Sequence, residues 1–236
     1  MNRLLTPTSG PSDWRRLLAD PGRQWVKGRS ALELAVSWEA ARRGPRGIPP
    51  SVAAVLDSHP QLAGATLLLG IPEHQVQFDG GGHASQTDLW ALLRAPVGLV
   101  SMSVEAKAGE GFDRTVASWL ADAKPASGKP ARLAQLKSIL GIAVDLPETL
   151  RYQLLHRTAS AIREAEKFGA SCAVLLVQSF SSDPDSAAAY STFCEVMGCV
   201  PQLGPLLEGP QVGTIQLYFA WVDCEPSGAE QLGAAI

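Results

Sequence analysis

The stretch SCAVLLVQSF (171–180) is apolar almost throughout, with no charged residue in it. A strand with apolar side chains on both faces has to be covered from both sides, and a sheet sandwiched between helices meets that condition. The flanking sequence supplies such helices. Ser30 occupies an N-cap position with Glu33 three residues later, a capping-box spacing, and an apolar stripe of Leu32, Ala35, Val36 and Ala40 follows. This predicts a helix over 30–43, ended by GPRGIPP, and a short second helix over 51–58.

Strand patterns come next. ATLLLGI (65–71) and HQVQF (74–78) read as two pieces separated by Pro72, followed by a DGGG turn at 79–82. TDLWALL (87–93) and LVSMSVEAK (99–107) are close enough to pair as a hairpin. Helices are expected over 115–123, 131–140, from Pro147 to about 168, and over 187–197, with a last strand at 214–222. The order predicts an α/β fold, a mixed central β-sheet flanked by helices. We read one domain with its core at about 30–180, an irregular lead-in at 1–29 and a C-terminal extension at 181–236 holding a helix and a strand.

With 236 residues, 46% hydrophobic and 18% charged, the chain can bury a sizeable core. It has no apolar run near the roughly 20 residues that span a bilayer, and its N-terminus has no signal-peptide core, so the expected setting is the cytoplasm, away from membranes. Cys172, Cys194, Cys199 and Cys224 have no CxxC spacing and sit among apolar neighbours, which predicts reduced, mostly buried thiols. A net charge of −3 argues against bulk electrostatic capture of nucleic acid, but the charge is polarised. Residues 1–50 carry nine basic side chains against four acidic ones, and no Lys or Arg follows Lys167. A basic face near the N-terminus would suit a polyanion; scattered solvated charge is the plainer alternative.

The hairpin carries charges that a core strand should not. An unpaired buried carboxylate or ammonium costs several kcal/mol. Glu105 and Lys107 are two apart in a strand and therefore share a face, while Val104 and Ala106 share the other. Pairing with the preceding strand brings Asp88 beside Glu105. Two hard oxygen donors with an ammonium next to them suit Mg²⁺ or Mn²⁺ and a phosphate substrate. The same residues also suit a solvent-facing ion pair on a hairpin edge, worth about 0–1 kcal/mol.

Asp88 on one strand and Glu105-Ala106-Lys107 on the next resemble the PD-(D/E)XK nuclease superfamily, which has the restriction-endonuclease-like fold. The resemblance covers about 30–180 and implies an αβββαβ core with a helical insertion after Lys107. It implies that Asp88 and Glu105 are metal ligands together with the Ala106 carbonyl, and that Lys107 is the catalytic lysine that positions or activates water. KGRSALELA (27–35) resembles the opening helix of resolvase-like members, which would make Glu33 a catalytic glutamate; its plain alternative is the capping box. RYQLLHR (151–157) offers Gln153 as a site residue, with Arg151 and His156 as neighbours, and a water-facing Gln153 as the alternative. Thr87 stands where the superfamily often has proline.

The implied activity is Mg²⁺- or Mn²⁺-dependent hydrolysis of nucleic acid, DNA ahead of RNA, with a homodimer as one form compatible with cutting two strands. The alternative is a protein of the same fold that binds nucleic acid or a protein partner without cleaving. A metal-free carboxylate-pair hydrolase is disfavoured, because Lys107 would keep both carboxylates ionised. No His spacing matches a zinc site, and His83 reads as a turn residue. KAGEGF is no phosphate loop, and no serine has an evident His and Asp partner. Removing Lys107 is expected to abolish cleavage with the fold intact.

Overall fold

The computed structural model describes residues 8–78, 83–124, 127–181 and 183–228, so the turn expected at 79–82 lies outside the described residues. The structure is α/β, built on a six-stranded mixed sheet flanked by helices. β1 (Thr66–Val76), β2 (Ser85–Ala95) and β3 (Gly98–Lys107) form an antiparallel meander. β4 (Cys172–Ser179) lies parallel to β3, β6 (Ile215–Asp223) parallel to β4, and β5 (Leu207–Val212) closes the far edge antiparallel to β6.

The SCAVLLVQSF run is the central strand β4, every residue of which is buried. One face of the sheet packs against α2 (Ser30–Ala41) and α3 (Pro50–Asp57), the other against α5 (Lys129–Leu140), α6 (Tyr152–Phe168) and α7 (Pro184–Val196). α6 crosses β3 and β4, and its Leu154, Leu155 and Ile162 are buried, each contributing about 1.5–3 kcal/mol of transfer from water. The short helices α1 (Pro21–Gln24) and α4 (Val116–Ala121) complete the set.

Several boundaries differ from expectation. Pro72 does not split a strand: β1 runs through it, because β1 is an edge strand where a missing N–H is tolerated. α6 begins at Tyr152 instead of Pro147; Arg151 is extended and bridges Thr115, and the Tyr152 N–H donates to the Arg114 carbonyl, so this backbone is committed elsewhere. Ser30 is the first helical residue, with no side-chain cap, and the expected capping box does not form. β5, LEGPQV, escaped notice because glycine and proline interrupt it, which an irregular edge strand accommodates.

The lead-in is more ordered than its composition suggests. It holds a 3₁₀ helix at Pro11–Leu17 whose Trp14 is buried and donates its indole N–H to Glu39 Oε1 at 2.9 Å. The C-terminal extension supplies β5 and β6, so it is part of the sheet and not an appendage. All four cysteines are free, Cys172 and Cys194 fully buried. No helix among the described residues is long and apolar enough to cross a membrane.

Candidate functional site

The β2–β3 ladder ends at Leu89 and Val104. β2 nevertheless continues to pair with β1 as far as Val76 and Ser85, and β3 continues with β4 to Lys107 and Ser179. The sheet therefore loses pairing between its two halves, and the residues just past the break are Asp88 on β2 and Glu105, Ala106 and Lys107 on β3. The Asp88 carboxylate caps the break by accepting the Ala106 N–H at 2.8 Å. The Lys107 carbonyl accepts the Phe180 N–H on the β4 side, so strand alternation turns the Ala106 carbonyl toward β2.

A third carboxylate joins this row. Pro72 pairs with Leu89 and His74 with Thr87, which puts Glu73 opposite Asp88. Glu73 is the one described non-glycine residue with positive φ, at 53°, a conformation costing about 1–2 kcal/mol. Glu73, Asp88 and Glu105 thus stand on three adjacent strands and line one cavity of about 590 Å³, with Lys107, Gln153 and Arg157.

Glu105 is the best-satisfied member. It is 1% exposed, and Lys107 Nζ and Gln153 Nε2 donate to its Oε1 at 2.7 and 2.6 Å while Arg157 Nε donates to Oε2 at 2.7 Å. Burial alone would raise its pKa, but the Lys107 and Arg157 charges together hold it below the usual carboxylate range. Asp88 and Glu73 make no such direct ion pair among the described residues, and the Arg157 charge, joined at Asp88 by Lys107, offsets their burial only in part. Burial, then the Glu105 charge, pushes Asp88 up to about 6; burial, then the Asp88 charge, pushes Glu73 up to about 8. Glu73 is held by Gln86 Nε2, which donates to Oε2 at 2.6 Å.

Of the residues singled out in the sequence, Asp88, Glu105, Ala106, Lys107 and Gln153 come together. Glu33 does not. It is 1% exposed, lies outside the cavity lining and accepts the Ser227 N–H at 2.7 Å, tying α2 to the chain after β6. Arg151 donates to the Asp113 carbonyl at 3.1 Å, and Gln153 Oε1 accepts the Asp113 N–H, so both brace the loop after β3.

Two site residues were missed, each with a legible signal. Arg157 is four residues after Gln153 and therefore on the same helix face. Glu73 is an acidic residue inside an apolar strand, the same anomaly that drew attention to Glu105. A Ser–His pair also forms: Ser85 Oγ lies 2.7 Å from His156 Nδ1. Ser85 is buried and His156 half-buried, with Ser160 Oγ donating to Ser85 Oγ, and burial, then Arg157, holds His156 well below its ordinary pKa. The pair has no carboxylate partner among the described contacts and fastens β2 to α6.

Hard carboxylate and carbonyl oxygens are the donors that Mg²⁺ and Mn²⁺ take, and a divalent cation would relieve the carboxylate repulsion that adds to burial in raising Asp88 and Glu73. A family model described as Domain of unknown function (DUF6946) matches residues 7–226. No curated protein and no solved structure matches the chain.

Proposed function

We propose, for a chain that belongs to the DUF6946 family, a metal-dependent phosphodiesterase of the PD-(D/E)XK type acting on nucleic acid, DNA ahead of RNA. The observation that carries this reading is the break in the β2–β3 ladder, which leaves Asp88, Glu105 and Lys107 around one cavity at the site where the resemblance expects them. The element order α2, β1, β2, β3, α6, β4, with α3 inserted before β1 and α4 and α5 after β3, supports it.

Asp88, Glu105 and the Ala106 carbonyl would hold Mg²⁺ or Mn²⁺, with Glu73 completing the carboxylate row. When bound, such a cation lowers the pKa of a coordinated water and offsets charge on the phosphoryl group. Lys107, fixed by its 2.7 Å contact with Glu105, supplies N–H donors to the attacking water or to a non-bridging phosphate oxygen. Gln153 and Arg157 keep the Glu105 carboxylate oriented from α6. Hydrolysis then forms a phosphorus–oxygen bond to the water, which gives up a proton to solvent, and breaks the phosphorus–oxygen ester bond, with the departing oxygen taking a proton from solvent.

One observation favours a second reading, a binding module of this fold that does not cleave. Three donors already occupy Glu105, a closed network that is complete without a cation. Incubation with single- and double-stranded DNA and Mg²⁺ or Mn²⁺ separates the two. Cleavage lost in Asp88→Asn supports the nuclease, and cleavage unchanged in Asp88→Asn or Lys107→Met sinks it. Nucleic-acid binding with no cleavage under any divalent ion supports the module.

A further inference from the structure

Glu105 and Lys107 are 1% and 4% exposed, so a phosphodiester meets them only by entering the cavity. What can enter is set by the wall that the lead-in contributes, where Leu18, Ala19, Asp20 and Gln24 line the same space as Asp88 and Glu105. That wall is fixed at both ends. Trp14 before it and Trp25 after it are buried in the core that α2 shares with the sheet, and large aromatic side chains are costly to pull out of such a core. The Trp14 indole is held by Glu39, and the Ser30 N–H donates to Glu110 Oε1 at 3.0 Å, tying the start of α2 to the loop after β3. The charge along the wall is balanced, Arg23 and Arg29 against Asp20 and Glu110, so it acts by shape and not as a seat for phosphate. The space it leaves, about 590 Å³, is that of a site for one small molecule. A B-form duplex, whose major groove alone is about 12 Å wide, is too broad for it.

We propose that the site takes nucleic acid as a single strand: a free end, an unpaired arm or a melted stretch threads between residues 18–24 and the carboxylate row, and paired duplex is kept out by the wall. The inference rests on the phosphodiesterase reading of the same cavity and adds the form of its substrate. Enzymes whose reacting groups are recessed in this way act on single strands or draw a nucleotide out of the duplex.

The test uses one labelled DNA oligonucleotide with Mn²⁺, offered single-stranded, annealed to its full complement, and in a fork whose arms do not pair. The single strand and the fork arms should be cut at least about 100-fold faster than the full duplex, as for a phosphate that cannot be brought to the carboxylates, and the stem of the fork should stay whole. Ala19→Trp, at an exposed position on the wall, should narrow the entrance and slow cutting of the single strand at least about tenfold while the melting temperature stays unchanged. A duplex or a stem cut as fast as the single strand, or single-strand cutting unchanged in a folded Ala19→Trp, overturns the proposal and leaves the phosphodiesterase reading standing. Should Ala19→Trp not fold, the three substrates compared with the wild type decide alone. A wild type that cuts none of the three sinks both readings.

Discussion

Asp88 accepts the N–H of Ala106 at 2.8 Å, so a carboxylate takes the place of a strand carbonyl where the β2–β3 ladder stops. One side chain therefore serves the fold and the site at once. Its Oδ2 caps an amide that would otherwise be an unsatisfied buried donor, which costs about 1–3 kcal/mol.

Asp88→Asn and Asp88→Ala should therefore separate. Asparagine retains an oxygen for the Ala106 N–H, so its melting temperature stays near wild type while cleavage and Mn²⁺ affinity fall at least about 100-fold. Alanine loses both, and chemical denaturation should show about 1–3 kcal/mol of lost stability. Equal stability of the two variants would contradict the capping role.

Lys107 and Arg157 are the two cations on Glu105. Removing one partner of a buried pair costs about 3–5 kcal/mol when the other is stranded. Here each removal leaves the other cation in place, so Lys107→Met or Arg157→Met alone should cost less than that, and the double variant more than the sum. A double-mutant cycle by urea denaturation reads this coupling. The expectation that Lys107 can be removed with the fold intact gains a qualification: at 4% exposure the lysine is structural as well.

Glu33→Gln should leave cleavage within a few fold of wild type, because the carboxylate serves the Ser227 N–H and not the cavity. Gln keeps an acceptor, so stability should change by about 1 kcal/mol or less. A loss of activity as large as that of Asp88→Asn would restore Glu33 to the site.

Stability without divalent ions should fall as pH rises through the site's titrations. Asp88 and Glu73 have folded pKa values of about 6 and about 8, above those of unfolded carboxylates near 4. The folded state then binds more protons than the unfolded state between pH 4 and 8, so each rise in pH across that window costs stability. Glu105 works oppositely: its lowered pKa contributes stability that is present above pH 4 to 5 and lost only as pH falls further. Millimolar Mn²⁺ should cancel the decline toward pH 8, and Asp88→Asn should reduce it; thermal melts at pH 5 and 8, with Mn²⁺ and with EDTA, measure both.

Much of this was legible in the sequence. The apolar run of β4 required cover on both faces, and two-residue spacing placed Glu105 and Lys107 together, because strand periodicity is local and survives without tertiary information. Gln153 was also within reach, with Arg157 one turn further along the same helix face. Glu33 misled for an instructive reason: its spacing from Ser30 fits a cap and its helix fits a site, but its partner is 194 residues away in sequence, and no local pattern encodes that contact.

The sequence by itself determined the α/β class, the hairpin and the face shared by Glu105 and Lys107, since these follow from side-chain period and chain proximity. Only the tertiary structure decided where the β2–β3 ladder stops, that Glu73 stands opposite Asp88, and that Arg157 neutralises Glu105. Those depend on register and on how α6 seats against the sheet, where the energies of many distant contacts are balanced together. The charges that looked misplaced in a core strand are tolerated because that packing brings Lys107, Gln153 and Arg157 to Glu105.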